Sequence, residues 1–282
     1  MASSGDPRPI GIFDSGIGGL TVTQAIRQAL PHERLLYFGD NAHIPYGAKT
    51  NEEILGLSRG ITHALLEQGC KLIVIACNTA SAAALKSLRA ELPNVTFVGM
   101  EPAVKPAVEH TRTGVVGVIA TVATVQGEVF ASVVERFAQD VRVIKQSCPG
   151  LVLQIEAGEF AAPKTEGMLR GWLEPMVEQG IDALVLGCTH YPFVLPLIER
   201  IVGSGVRVID PAPAIARRVE HVLRGMDALA DGEQAGELRC YTSGEPEAFR
   251  GFLQHLGITD APVTQGQWTG EELSLPCTSS RT

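Results

Sequence analysis

Two apolar runs in this chain end in a cysteine followed by a polar pair: LIVIACNT at 72–79 and ALVLGCTH at 183–190. A lone cysteine at the end of a buried strand is ordinarily a small packed hydrophobe. Two in matching contexts call for another explanation, since a thiolate is a competent base or nucleophile and a helix N-terminus favours it. Facing one site from opposite sides, one thiol would take a proton from carbon while the other supplied one to the opposite face. That inverts a stereocentre without a cofactor. Disulfide redox would need the sulfurs within a few Å of each other. A hydrolase would want one cysteine with a histidine base, not two equivalent thiols.

The neighbours of Cys77 and Cys188 fit proton chemistry. Asn78 and Thr79 follow the first, and Thr189 and His190 the second, so that each pair can cap a helix or hand donors to a ligand. His190 stands two residues from Cys188, where an imidazole could assist a thiol. Asp14 and Ser15 head a glycine-rich turn, DSGIGGLTV, at a strand end. That turn lacks the Lys-Ser/Thr of a P-loop, and its GxGG spacing is not the dinucleotide GxGxxG, so it reads as a tight strand-to-helix turn beside a site. Glu156 is a weaker acid/base candidate. No HxxxH or paired-carboxylate cluster points to a metal, and no lysine context points to a pyridoxal Schiff base. The other cysteines, 70, 148, 240 and 277, form no CxxC pair. The first three read as structural, and Cys277, in the tail LSLPCTSSRT, as incidental.

The elements that must position these residues are legible as hydrophobic runs. Strands are predicted at 10–13, 35–38, 72–76, 96–100, 115–120, 141–145, 183–187 and 206–210. Helices are predicted at 20–29, 51–68, 79–91, 124–138, 164–179 and 212–224. Continuous apolar strands alternating with helices imply an α/β protein with parallel sheets covered on both faces. In such sheets ligands bind at the carboxyl ends of the strands. Asp14 precedes Cys77 by 63 residues, and Thr121, at the end of VGVIAT, precedes Cys188 by 67. Two pseudo-symmetric flavodoxin-like domains would explain the repetition, one comprising 1–99 plus 210–282 and the other 100–209. The last segment holds too little material for a third core and is expected to complete the first domain.

Composition narrows the partners. Apolar content of 45% against 19% charged supports a large core, and a net charge of −8 disfavours nucleic acid as a bulk partner. An acidic small substrate remains compatible, because backbone amides bind carboxylates locally. MASSGDPRP lacks the apolar region of a signal peptide, and no run of about 18 apolar residues occurs, so no membrane association and a cytoplasmic location are expected. Three readings follow: an isomerase using both thiols, a phosphate-binding module using GIGG, and a non-catalytic interaction protein. Two well-placed thiols favour the first.

The sequence resembles the glutamate racemases in IGIFDSGIGGLTV (10–22), YFGDNAHIPYGAKT (37–50), IACNTASA (75–82), GVIATVAT (117–124), LVLGCTHYP (184–192) and VIDPA (208–212). Aspartate and hydantoin racemases share the cysteine motifs but are less similar at DSGxGG and PYG. The resemblance implies two α/β domains with the active site between them, no cofactor, and racemisation of glutamate that supplies D-glutamate for peptidoglycan. It implies that Cys77 acts on the D-enantiomer and Cys188 on the L-enantiomer, with Asp14 assisting the first thiol and His190 the second. Asp14, Ser15, Pro45, Tyr46, Gly47, Asn78, Thr79, Thr121, Thr124, Thr189 and His190 match substrate-contacting positions, and Glu156 an auxiliary acid. A homodimer is compatible with it. The segment CPGLVLQIE (148–156) departs from the family's CPLFVPLVE-like run at Gly150 and Leu153.

Overall fold

In the computed structural model, residues 5–276 other than 233 are described. Cys277 lies outside them. The chain divides into two units, 1–99 with 213–282 and 100–212, the second crossing falling at the start of a helix.

The first unit opens with β1 (Ile10–Asp14), α1 (Leu20–Ala29), β2 (Leu35–Gly39), α2 (Asn51–Glu67), β3 (Leu72–Ile75), α3 (Asn78–Glu91) and β4 (Phe97–Gly99). Every residue of β1, β2 and β3 is buried, as parallel strands covered by helices on both faces require. α2 starts at a capping box: Thr50 Oγ1 accepts from the Glu53 amide while the Thr50 amide donates to Glu53 Oε2 at 2.7 Å.

The second unit holds α4 (Val104–His110), β5 (Val115–Ala120), α5 (Val122–Gln126), α6 (Glu128–Phe137), β6 (Arg142–Ser147), α7 (Leu151–Glu156), α8 (Pro163–Glu178), β7 (Ala183–Gly187), α9 (Leu195–Val202) and β8 (Arg207–Ile209). One helix was expected over 124–138; there are two. Gly127 adopts an extended conformation at their junction, which ends α5 one turn after Thr121 starts it. Val116, Val118, Phe130, Val133 and Val185 form a core of this unit.

The chain then returns to the first unit through α10 (Ala212–Gly225), β9 (Leu238–Thr242), α11 (Pro246–His255), β10 (Val263–Gln265) and an antiparallel hairpin of β11 (Gln267–Thr269) and β12 (Glu272–Ser274). β9 and β10 extend the first sheet, whose order is β10-β9-β2-β1-β3-β4, all parallel. Leu273 and Leu275 join Phe38, Ile61 and Leu65 in that unit's core.

The second sheet, also all parallel, runs β6-β5-β7-β8. Numbered within each unit, both sheets contain the order 2-1-3-4, the flavodoxin-like plan. The first strand of each lies between the second and third, so the chain leaves it in opposite directions. That switch point opens a crevice at the strands' carboxyl ends, where ligands of such sheets bind. Asp14 and Cys77 flank it in one unit, Thr121 and Cys188 in the other.

Candidate active site

Each half-site is built on its own sheet. In the first unit, β1 delivers Asp14 to its last position, fully buried, and the chain turns at once. The Asp14 carboxylate accepts from the Gly16 amide at 2.8 Å and from Ser15 Oγ at 3.4 Å. The Cys77 thiol donates to Ser15 Oγ at 3.9 Å, which links Asp14, Ser15 and Cys77 in one chain. Cys77 is the residue before α3, and its sulfur takes the capping role, accepting from the Ala80 amide at 3.4 Å. A cysteine stands where serine or aspartate usually caps, and amides that satisfy a cap also stabilise a negative sulfur.

Glycine in this turn serves packing. A Cβ on Gly19 would lie 2.7 Å from Asp14 Cβ and 3.0 Å from the Tyr37 ring, while Tyr37 donates its hydroxyl to the Gly16 carbonyl at 2.6 Å. Gly19→Ala is expected to displace Asp14 and lower kcat at least about tenfold, as misplacement of a reacting group does. Steady-state polarimetry with circular dichroism as a folding control checks this.

Asn78 and Thr79 occupy the first turn of α3, both buried. Pro45, Tyr46 and Gly47 lie at a 3-10 turn after β2, with Tyr46 buried and the other two half-buried. Tyr46 donates its hydroxyl to Asp40 Oδ2 at 2.7 Å. Burial first, then the charge and hydrogen bond of Asp40 and the charges of Cys77 and Asp14, hold the phenol well above its ordinary pKa. It remains a proton donor.

In the second unit, Thr121 caps α5, accepting from the Thr124 amide at 3.3 Å, with the two hydroxyls 3.0 Å apart. Cys188 follows β7. The expectation of a helix N-terminus beside this sulfur is corrected: residues 189–190 form a turn, Tyr191–Val194 a 3-10 turn, and α9 begins only at Leu195. Nor does His190 make a side-chain cap. Pro192 and Pro196, which lack amide hydrogens, fall in the first positions of those two elements. What stands beside Cys188 instead is an imidazole. His190 Nδ1 lies 3.8 Å from its sulfur, and His190 Nε2 lies 2.7 Å from Glu156 Oε1. A carboxylate on Nε2 fixes the proton there and turns the Nδ1 lone pair toward sulfur.

The departure around Glu156 has a local explanation. Gly150, at φ +81°, takes the left-handed conformation at the start of α7, which glycine adopts without penalty. Leu153 points outward, 48% exposed, while Leu151 and Ile155 anchor the helix in the core. Neither difference prevents α7 from delivering Glu156 to His190. Thr124, Thr189 and His190 are buried, and Thr121 is half-buried.

Burial pushes the thiols of Cys70, Cys148 and Cys240 up to about 12, which suits inert packing. The residue that sequence reasoning passed over is Asp40, one position beyond β2. Fully buried, it collects hydrogen bonds from His43, Tyr46, Ser243 and Trp268. Its signal was present: LLYFGD ends as IGIFD does, in an aspartate at a strand's carboxyl end. No group of three His, Cys, Asp or Glu residues able to hold a metal occurs among the described residues. No helix among them is long and apolar enough to cross a membrane.

Two α/β halves of one plan, each carrying a buried cysteine just past its third strand, match a known class. Residues 10–219 match the profile of Asp/Glu/Hydantoin racemases, and the chain belongs to that family of isomerases. Within it, the chain is 50% identical over 255 residues to a glutamate racemase of Stutzerimonas stutzeri, a match covering 90% of this chain and 96% of the relative. Among solved structures, the glutamate racemase of Escherichia coli in complex with L-glutamate and the activator UDP-MurNAc-ala is 32% identical, with TM-score 0.80, over 92% of this chain and 98% of that one. That of Francisella tularensis in complex with D-glutamate is also 32% identical, with TM-score 0.79 and the same coverage.

Proposed function

We propose that this chain interconverts L- and D-glutamate by two-base proton transfer at Cα, with Cys77 acting on the D-enantiomer and Cys188 on the L-enantiomer. The observation that carries the reading is the side chain of Asn78. It is 4% exposed beside Cys77, and neither its oxygen nor its nitrogen has a hydrogen-bond partner among the described residues. Leaving a buried polar group unsatisfied costs about 1–3 kcal/mol. An amino acid offers both complements: a carboxylate to accept from Nδ2 and an ammonium to donate to Oδ1. The solved relatives carrying each enantiomer of glutamate support the choice of substrate.

The chemistry follows from the two half-sites. An α-proton is far less acidic than a thiol, so its removal needs a thiolate on one face and stabilised negative charge on the α-carboxylate. Amides and hydroxyls of Ser15, Asn78, Thr79, Thr121, Thr124 and Thr189 would supply that stabilisation, already oriented. At the start of L-to-D turnover, His190 holds the Cys188 proton at Nδ1, Glu156 balances the imidazolium, and Cys77 is the thiol that reprotonates Cα. The reverse turnover begins with Cys77 as thiolate, its negative sulfur supported by the amides of α3, while Asp14, acting through Ser15, receives its proton. The residues assigned need no cofactor. The same reading places the reaction in the cytoplasm, feeding D-glutamate to peptidoglycan.

In deuterated buffer each enantiomer of glutamate is expected to gain deuterium at Cα, with product labelled before substrate because the two protons are held by different thiols. NMR of the Cα proton alongside polarimetry reads both. Faster turnover of aspartate, or inversion with the original proton retained, would overturn the assignment.

A further inference from the structure

We infer that the C-terminal hairpin is part of the substrate-binding apparatus, with Trp268 acting as a positioning residue for Tyr46 through Asp40. This rests on the reading of Tyr46 as a substrate contact. Residues 243 and 268 lie beyond the segment matched by the family profile, which ends at 219. Both nevertheless reach Asp40.

The geometry is a closed set of hydrogen bonds around one carboxylate. Asp40 Oδ1 accepts from Trp268 Nε1 at 2.9 Å and from Ser243 Oγ at 2.7 Å, and Oδ2 accepts from Tyr46 at 2.7 Å. His43 Nδ1 lies 2.9 Å from Oδ1, and its ring meets the Trp268 ring edge-on at 5.4 Å. Asp40 is fully buried, so its orientation is set by these donors and not by water. With Oδ1 held by the hairpin and by the loop after β9, Oδ2 has one direction in which to hold the Tyr46 hydroxyl. A carboxylate released from Trp268 would turn about its Cβ–Cγ bond and let the Pro45–Gly47 turn drift.

The hairpin also has a prepared seat. A Cβ on Gly60, in α2, would come within 2.7 Å of Trp268 Cζ3 and 2.6 Å of the Glu271 carbonyl. The helix therefore admits the indole only because position 60 lacks a side chain. Leu273 fixes the far strand in the core. Nothing in the packing of a mere end-cap requires the indole N–H to point at a buried carboxylate.

Trp268→Phe removes that N–H while keeping an aromatic ring over Gly60. In the full-length enzyme it is expected to raise KM for both enantiomers about fivefold to tenfold with kcat reduced less than about threefold, as loosened positioning of a binding group does. Gly60→Ala is expected to reproduce the effect by lifting the hairpin. A double-mutant cycle identifies the route: in a Tyr46→Phe background, Trp268→Phe should add little. Should Tyr46→Phe impair the enzyme while Trp268→Phe leaves KM unchanged, the hairpin inference falls and the Tyr46 contact stands. An equal cost in both backgrounds also overturns it, since the effect would then bypass Tyr46. If Tyr46→Phe itself is silent, the hydrogen bond to Asp40 positions nothing and the inference falls, while a substrate contact through the ring or backbone of the Pro45–Gly47 turn stands. Circular dichroism and thermal melting confirm that each variant is folded at the assay temperature.

Discussion

Cys188→Ser is expected to lower kcat/KM for glutamate by at least about 100-fold, or about 2.7 kcal/mol of transition-state stabilisation, since positioned general acid–base groups contribute that much or more. Serine keeps the shape but is a far weaker acid than a thiol, so His190 no longer draws a proton from it usefully. Cys77→Ser is expected to cost as much. The two losses must be equal in both directions for a reason outside the protein. L- and D-glutamate have the same free energy in water, so the equilibrium constant is one and kcat/KM is the same from either side in any variant. An asymmetric role for the thiols therefore cannot appear in that ratio. It appears in proton exchange. With only Cys77 left, D-glutamate is expected to trade its α-proton for solvent deuterium without inverting, and L-glutamate to stay unlabelled; with only Cys188 left, the pattern reverses. Loss of inversion with exchange confined to one enantiomer confirms the assignment. Near-native inversion by either variant, or equal labelling of both enantiomers, removes the two-base mechanism.

The linear sequence carries the positions of the two thiols but not the difference between their surroundings. β1, β2, β3, β5 and β7 were legible because strands buried on both faces read as unbroken apolar runs. Their ends mark the switch points, and with them Asp14, Cys77, Thr121 and Cys188. The difference between the thiols was not legible. CNTAS and CTHYP both read as a strand running into a helix, yet prolines 192 and 196 delay α9, and the second sulfur is served by a histidine and a carboxylate 34 residues apart. That separation follows from where α7 packs, which no local pattern encodes. Asp40 was hidden for a similar reason. Two of its four partners, Ser243 and Trp268, come from a region whose sequence shows little periodicity, and only the pairing of β9 beside β2 brings them near.

Lys71→Met is expected to destabilise the first unit by about 3–5 kcal/mol, the cost of leaving a buried charge without its partner. Lys71 and Glu33 are paired at 2.7 Å with side chains 0% and 2% exposed, and no role in proton transfer is assigned to either. Nζ also donates to the carbonyls of Asp6 and Ala228 at 2.7 Å each, while Glu33 Oε1 accepts from the Ala230 amide at 2.8 Å. The pair thus ties the segment before β1 and the segment after α10 to the N-terminal edge of β3. Methionine fills the space of the lysine stem but supplies none of its three donors. Replacing both partners, Lys71→Met with Glu33→Leu, is expected to recover part of the loss, because the uncompensated carboxylate is gone and the orphaned backbone groups alone remain. Urea unfolding followed by Trp268 fluorescence in a Trp172→Phe background reports the first unit, and a lower midpoint at unchanged slope is the expected signature. A single variant as stable as the parent would mean that the pair is hydrated and structurally idle. A double variant weaker than the single one would mean that the ion pair is not the source of the cost, and that its hydrogen bonds to the two flanking segments are.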